Sequence, residues 1–329
     1  MSFSFRTLRL GLIVLAISAG TLLAAAWARQ HAEHQAMVED AERASQQLGL
    51  YANSLHTLIE RYRALPAVLA LDPELIAALR GSVSPETQDQ LNRKLERING
   101  AANSSTLELL DRTGLAVAAS NWRLPSTYVG HNYGFRPYFK QTRSQGTGRF
   151  YAIGVTSGIP GYFLSSAVSD EQQGFLGAMV VKLEFPELER EWRQGNDVVL
   201  VSDARGIIFI ANQDGWRYRK LNALSAHDFN ELEQTRQYDK QALVPLRRQV
   251  LDSFDDNSHL VRVPGPQGNV DYLWESLPLE GEGWTLHLLR QPQTGNDGRN
   301  AALAAAAIWL SLVFAALFVS QRLRLARLR

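Results

Sequence analysis

The chain contains no cysteine among its 329 residues. This absence excludes a disulfide-bonded scaffold, thiolate metal sites, a cysteine nucleophile and dithiol redox motifs. It does not fix the compartment in which the protein works, because domains of about 100 residues or more bury enough apolar surface to fold without disulfides. The location therefore has to be inferred from the distribution of charged and apolar residues.

Acidic residues are missing from both ends of the chain. All 33 Asp and Glu residues lie between Glu33 and Asp297, whereas residues 1–9 and 321–329 carry six arginines and no acid. The formal net charge of +1 is therefore the sum of two basic ends and an acidic middle part. Such a chain is not expected to bind nucleic acid, which requires a basic surface facing the phosphates.

Two long apolar runs, residues 10–28 and 301–320, contain no charged side chain. At a rise of about 1.5 Å per residue each run comes close to spanning a hydrocarbon core of about 30 Å, which predicts two transmembrane helices. The alternative for the first run is a cleaved signal peptide, with Ala26-Trp27-Ala28 as the cleavage site.

The arginines beside the two runs predict the orientation of the chain. By the positive-inside rule the N-terminal residues 1–9 and the basic tail 321–329 are cytoplasmic, and residues 29–300 lie outside the cytoplasm. The sequence therefore predicts a membrane protein whose large middle part lies outside the cytoplasm.

A long helix is predicted to rise from the first membrane segment. Residues 29–65 contain no proline, and their apolar residues recur at spacings of three and four, which predicts an amphipathic stalk helix. Pro66 interrupts this pattern. Two short helices are predicted next, because Asp72-Pro73 and Ser84-Pro85 each combine a capping side chain with proline at the first helical position.

Beyond these helices the pattern changes to the period of two that is typical of β-strands. A strand, a D-x-x-G turn at Asp111–Gly114 and a second strand occur first, and the same unit returns 92 residues later at Asp203–Gly206. Each copy is followed by an excursion and three further strands. The sequence thus predicts an α+β fold with two tandem modules, residues 66–185 and 196–292, joined by a linker helix at 186–195. Each module is expected to contain a five-stranded antiparallel sheet.

Basic and aromatic side chains mark a candidate pocket in the first module. Arg136 lies in the segment 129–139, whose aromatic residues are typical of a pocket lining rather than of a solvated loop. Its guanidinium matches a carboxylate bidentately, and the alternative is that Arg136 stacks on the aromatic rings as packing. Lys182 ends an otherwise apolar strand, so its ammonium reaches solvent at the strand end or pairs with an anion. Two converging cations would suit a ligand with two carboxylates.

Several of these motifs resemble one family. Asn121-Trp122, the segment 130–139, Gly148–Ala152 and Pro160–Phe163 are similar to the sensory half of C4-dicarboxylate sensor histidine kinases of the DctB type. The resemblance implies a double-Cache (tandem PAS-like) fold for the two modules. It also implies a membrane-distal site that binds succinate, fumarate or malate through five residues: Tyr133, Arg136, Thr156, Ser157 and Lys182.

The same resemblance implies a location in the bacterial inner membrane, with residues 29–300 in the periplasm, and it implies partners. A homodimer through the stalk and transmembrane helices is expected, and a cytoplasmic kinase or other output module is expected outside this chain, which ends nine residues after the second apolar run. Whether the chain has any enzymatic role stays open, and no catalytic residue, metal site or cofactor is predicted. Two alternatives remain: a double-Cache sensor for another small anion or an amino acid with a chemotaxis or cyclic-dinucleotide output, and an anchored periplasmic enzyme.

Overall fold

The computed structural model describes residues 5–265, 267–292 and 296–326, and the fold is α+β. The described helices are α1 (Phe5–Arg63), α2 (Leu65–Ala70), α3 (Pro73–Leu79), α4 (Pro85–Ala102), α5 (Pro137–Gln145), α6 (Pro186–Trp192), α7 (Ala226–Thr235) and α8 (Asp297–Ala326). The described strands are β1 (Thr106–Asp111), β2 (Ala116–Ala119), β3 (Thr147–Ile153), β4 (Pro160–Asp170), β5 (Gly174–Leu183), β6 (Val198–Ser202), β7 (Ile208–Ala211), β8 (Arg219–Lys220), β9 (Val244–Pro245), β10 (Gln249–Ser253), β11 (Ser258–Gly265), β12 (Gly268–Leu279) and β13 (Trp284–Arg290).

The first apolar run and the predicted stalk form one continuous helix. Helix α1 extends over 59 residues to Arg63, and Gly49 lies within it without ending it. Helix α2 then begins at Leu65 and holds Pro66 in its first turn, where the missing N–H of proline needs no partner.

The predicted capping residues begin the next two helices. The Asp72 side chain accepts a hydrogen bond of 2.9 Å from the Glu74 N–H at the start of α3. The Ser84 Oγ accepts one of 3.2 Å from the Thr87 N–H at the start of α4. Each side chain satisfies a backbone donor that the first helical turn leaves free.

Within the part of the chain that the structure describes, two helices are long and apolar enough to cross a membrane, judged by length and composition: α1 and α8. No residue is buried in the most apolar window of either helix. The apolar side chains of these windows therefore face outward, as they must if lipid is to cover them.

The chain divides into two compact units. One contains the described parts of residues 1–47, 248–275 and 289–329, and the other contains residues 48–247 and 276–288. The second unit holds the first sheet and all of the predicted ligand-binding residues.

The first sheet has five antiparallel strands in the order β2-β1-β5-β4-β3. Strand β5 lies in the middle, and its last eight residues are all buried. The predicted pairing of β3 with β4 and of β4 with β5 is confirmed. Short connections between these strands made the antiparallel arrangement predictable.

The second sheet has six described strands, so the prediction of five was wrong by one. Its order is β10-β11-β12-β13-β6-β7, and β10 is the added edge strand, paired with β11. All five residues of β10 are exposed, so its sequence lacks the apolar alternation by which a half-buried strand is identified. The other five strands repeat the order of the first sheet, which confirms the internal repeat.

The two D-x-x-G turns have the same hydrogen bonds. Asp111 Oδ1 accepts from the N–H groups of Thr113 and Leu115 at 2.8 and 3.0 Å. Asp203 Oδ1 accepts from Arg205 and Ile207 at 3.0 and 2.9 Å. The turn glycines, Gly114 and Gly206, have φ angles of 89° and 77°, a region that glycine enters without a Cβ clash.

One face of the first sheet carries polar groups toward the loops. Thr106 of β1 and Phe163 of β4 lie opposite Lys182 of β5 from either side, and Glu108 lies opposite Val180. Side chains two residues apart on a strand point to the same face, so Thr106, Glu108 and Lys182 share one face. The aromatic part of the core packs there: Tyr128, Tyr133, Tyr138, Phe139 and Phe163.

Candidate functional site

Lys182 is the buried centre of the candidate site. The residue is 2% exposed, and its Nζ donates to Glu184 Oε1 at 2.6 Å and to Ser157 Oγ at 3.5 Å. Nζ also lies 5.9 Å from the centroid of the Phe163 ring. Burial lowers the pKa of Lys182, and the neighbouring carboxylate of Glu184 acts in the opposite direction. The ammonium therefore finds an anion rather than solvent.

Two glycines leave space for the side chains of Lys182 and Ser157. A Cβ on Gly161 would lie 2.5 Å from Lys182 Cε, and a Cβ on Gly154 would lie 2.5 Å from Ser157 Oγ. Both distances are shorter than real Cβ contacts allow. The two glycines at the ends of β3 and β4 thus permit a close approach of backbone and polar side chains.

The predicted hydroxyl groups form short hydrogen bonds with two tyrosines. The hydroxyls of Tyr133 and Thr156 lie 2.7 Å apart, and Tyr128 donates to Ser157 Oγ at 3.2 Å. The rings of Tyr128 and Tyr133 pack edge to face with centroids 5.8 Å apart. Burial raises the pKa of both phenols, which therefore stay protonated and can act as hydrogen-bond donors.

Arg136 is 1% exposed and donates to backbone carbonyls. Its Nη1 donates to the carbonyls of Thr235 and Arg236 at 2.9 and 3.1 Å, and its Nη2 donates to that of Ile153 at 2.6 Å. The guanidinium lies 5.3 Å from the Phe135 ring centroid. A guanidinium has more N–H donors than these three bonds use. The stacking predicted as the alternative and a polar role therefore occur together at this residue.

Two acidic residues of the site were missed by the sequence analysis. Glu184 is the partner of Lys182, and Glu108 is 2% exposed. Glu108 Oε1 accepts a hydrogen bond of 3.2 Å from the Tyr138 hydroxyl. Its Oε2 has no hydrogen-bond partner among the described residues. Burial raises the pKa of Glu108 to about 7, against the opposing effects of Tyr138, Lys182 and Arg136.

The structure brings the predicted residues together in two contacts. Lys182 meets Ser157, and Tyr133 meets Thr156. Arg136 and Lys182 are linked through Glu108, because both cations act electrostatically on that carboxyl group. A signal for Glu108 was present in the sequence Thr106–Leu110, where one acid stands among leucines and must either be buried or mark a functional position.

Two acidic side chains outside this site, Glu189 and Asp203, are paired with donors of the chain. Arg217 Nη2 lies 2.6 Å from Glu189 Oε1, and the Tyr238 hydroxyl donates to Asp203 Oδ2 at 2.8 Å. Both acids are thus engaged by donors of the protein itself.

Comparisons with known proteins identify the family of the chain. No protein-family model matches the chain. The C4-dicarboxylate transport sensor protein DctB of Rhizobium meliloti (strain 1021) is 33% identical over 314 residues, which cover 93% of this chain and 49% of that protein. The protein of the same name from Pseudomonas aeruginosa is 32% identical over 239 residues, covering 72% of this chain and 38% of that protein. This chain thus spans half or less of the length of the curated relatives it matches.

Solved structures show the same fold. The sensor domain of the V. cholerae histidine kinase DctB has a TM-score of 0.70 and 26% identity, and the match covers 78% of this chain and 98% of that domain. The periplasmic domain of RsbU from Chlamydia trachomatis has a TM-score of 0.55 at 17% identity, with 78% and 93% of the two chains covered, which is a likeness of fold alone. The family resemblance predicted from the sequence motifs is confirmed, and this chain belongs to the DctB-like sensor domains.

Proposed function

We propose that this chain is the sensory part of a transmembrane receptor and binds C4-dicarboxylates such as succinate, fumarate or malate. The observation that carries the proposal is the burial of Lys182, which is 2% exposed and whose ammonium lies beside the hydroxyl of Ser157. The names of the matched relatives, which are C4-dicarboxylate transport sensors, support the choice of ligand. An ammonium in this setting favours a carboxylate and disfavours the amino group of an amino acid.

The proposed mode of binding uses five residues. One carboxylate pairs with Lys182, and the hydroxyls of Thr156 and Ser157 donate to it. The other carboxylate accepts from the remaining donors of Arg136 and from the Tyr133 hydroxyl. Hydrogen bonds that involve charged groups contribute about 1.5–3 kcal/mol each, so the two cations supply most of the affinity.

Glu184 is the internal competitor in this proposal. Its carboxylate lies 2.6 Å from the Lys182 ammonium, where the first ligand carboxylate would bind. The Glu184 side chain is 24% exposed, so it can rotate into water when a ligand takes its place. The ligand is thus bound by exchange of one anion for another on Lys182.

The proposal extends to the membrane and to the partners of the chain. Helices α1 and α8 cross the bacterial inner membrane, with the termini in the cytoplasm and the two modules outside. Two copies associate through the stalk and transmembrane helices, and the signal passes to a cytoplasmic kinase or other output module. Ligand binding shifts the equilibrium between two states because the ligand binds one of them more tightly.

Calorimetry on the full chain in lipid nanodiscs tests the proposed ligand and site. We expect heat of binding with fumarate, succinate or malate and none with leucine or propionate. Lys182→Ala and Arg136→Ala should each weaken binding by about tenfold to a hundredfold, which corresponds to the loss of one charged hydrogen-bond group.

Lys140→Ala is the matched control, because Lys140 is exposed on the same module. It should bind as tightly as the unaltered chain. Binding of amino acids in place of dicarboxylates would contradict the proposed ligand, and equal affinities for Lys182→Ala and Lys140→Ala would contradict the site.

A further inference from the structure

Glu108 is a buried carboxyl group that faces the candidate ligand site. Thr106 is opposite Lys182 and Glu108 is opposite Val180, so Glu108 is a diagonal neighbour of Lys182 on the adjacent strand. Such diagonal neighbours on one face are about 7–8 Å apart, within reach of long side chains. Neither the sequence motifs nor the proposed mode of binding assigns Glu108 a role.

The groups that face Glu108 come from three elements. Helix α5 and the residue before it contribute Tyr138 and Arg136, β5 contributes Lys182, and the loop between β2 and α5 contributes Tyr128 and Tyr133. Strand β2 on the other side of β1 contributes only Ala and Val side chains. Glu108 is thus the acid among two cations and three phenols.

The two oxygens of Glu108 differ in their hydrogen bonding. Tyr138 donates to Oε1, whereas Oε2 is buried without a hydrogen bond among the described residues. An ionised carboxylate with an unpartnered buried oxygen is unfavourable, and a protonated carboxyl group removes the charge and gains a donor. The surroundings therefore favour the protonated form whenever further negative charge is added.

A bound dicarboxylate adds such charge. Lys182 and Arg136 supply two positive charges, and Glu184 and an ionised Glu108 already balance them. Once Glu184 has rotated into water, a ligand with two carboxylates would leave the site with an excess of one negative charge if Glu108 stayed ionised, and with no excess if Glu108 were protonated. Like charges at this depth raise the affinity of a carboxylate for protons.

We propose that Glu108 is a proton-carrying residue of the ligand site, which is protonated while the dicarboxylate is bound and donates that proton toward the ligand. The proposal rests on the proposed function of the site. Its consequence is that binding takes up a proton wherever Glu108 is ionised beforehand. Below about pH 7 Glu108 already holds its proton, and above about pH 7 binding has to supply it.

Calorimetry with fumarate tests this proposal, since both carboxyl groups of fumarate are ionised above about pH 6. Titration of the full chain in two buffers of different ionisation enthalpy measures the protons taken up. At about pH 8 we expect uptake approaching one proton per fumarate, and at about pH 6 we expect little. The Kd should rise by about tenfold between these two pH values.

Two variants assign the proton to Glu108. Glu108→Gln keeps the shape and removes the titration, so its Kd should stay constant from about pH 6 to about pH 8 without proton uptake. Tyr138→Phe removes the hydrogen bond that stabilises ionised Glu108, so the loss of affinity should begin at a higher pH. Glu86→Gln, at an exposed carboxylate of α4, is the matched control and should behave as the unaltered chain.

The outcomes separate this proposal from the proposed function. Fumarate binding without proton uptake at about pH 8 would overturn the role of Glu108 and leave the dicarboxylate site intact. Uptake that persists in Glu108→Gln would assign the proton to Lys182 and also overturn it. An unshifted pH profile in Tyr138→Phe would overturn it where Glu108→Gln does not fold. Absence of binding by any C4-dicarboxylate would overturn both proposals.

Discussion

Lys182 and Glu108 are two oppositely charged residues on one face of the same sheet, and each is 2% exposed. Burial acts on them in opposite directions, since it lowers the pKa of Lys182 and raises that of Glu108. Each residue is thus displaced toward its neutral form, which makes the pair sensitive to any charge that enters the site. This sensitivity is useful in a sensor and would be a disadvantage in an ordinary core.

Gly161 controls the position of Lys182. The methyl group of Gly161→Ala would lie 2.5 Å from Lys182 Cε and 2.9 Å from the Leu183 carbonyl oxygen, so the lysine side chain must move. We expect fumarate binding to weaken by about tenfold or more, because the displaced ammonium loses its alignment. Calorimetry on the full chain in nanodiscs measures the effect.

Gly81→Ala is the control for this substitution, since nothing lies within 4 Å of a Cβ at that position. It should leave the Kd unchanged. If Gly161→Ala binds fumarate as tightly as Gly81→Ala does, the close approach of Gly161 to Lys182 has no functional meaning.

At the scale of elements, the turn between β12 and β13 contacts the end of α1 and the edge of the first sheet through Glu282. Its carboxylate accepts from Arg63 Nη2 at 2.5 Å, from Arg149 Nη1 at 3.4 Å and from the Tyr162 hydroxyl. The Glu282 side chain is 7% exposed, whereas Arg63 and Arg149 are 37% and 45% exposed. Water therefore screens the two ion pairs. The buried carboxylate of Glu282 makes the larger difference to the free energy of unfolding.

We expect Glu282→Gln to lower the free energy of unfolding by about 1–3 kcal/mol, because the variant replaces an acceptor of three donors by an amide with its own N–H groups. A lower midpoint of thermal unfolding for the full chain in nanodiscs is the corresponding observation. Glu280→Gln, at an exposed position of the same hairpin, should leave the midpoint unchanged. Equal midpoints for the two variants would show that the Glu282 contacts contribute nothing.

Sequence patterns predicted the helices and strands with strong local signals. Asp72 and Ser84 marked helix starts, and the repeated D-x-x-G turns marked two sheets of related order. Strand β10 was missed because its residues are all exposed, and it is recognised as a strand by its pairing with β11. Elements of that kind become visible only in three dimensions.

The candidate site was predictable only in part. An arginine among aromatic residues and a lysine in an apolar strand are visible locally, and so was the acid in Thr106–Leu110. The carbonyl partners of Arg136 at Thr235 and Arg236 lie about 100 residues away in sequence and become acceptors only because α7 ends there. No local pattern contains that information.

At the scale of the whole molecule, the proposed membrane orientation depends on the basic ends of the chain. The chain also lacks cysteine. A single introduced cysteine is therefore a unique label. We expect Gln172→Cys, exposed in the first module, to react with a membrane-impermeant maleimide in intact spheroplasts. Leu325→Cys, near the end of α8, should react only after the membrane is permeabilised.

The unaltered chain, which contains no thiol, is the control for this labelling and should not react. Equal labelling of the two positions in intact spheroplasts would contradict the orientation, as would labelling of Leu325→Cys alone.

The continuity of α1 has a geometric consequence. A helix of 59 residues is about 88 Å long at 1.5 Å per residue, and no proline interrupts its hydrogen bonds. The backbone of this helix therefore relates the side chains near Arg63 to those of the apolar end by regular helical geometry. Each residue turns the helix by about 100° about its axis. The number of residues between Arg63 and the apolar end therefore sets the angle between the helix faces at those two points. Insertion or deletion of one residue would change that angle by about 100°.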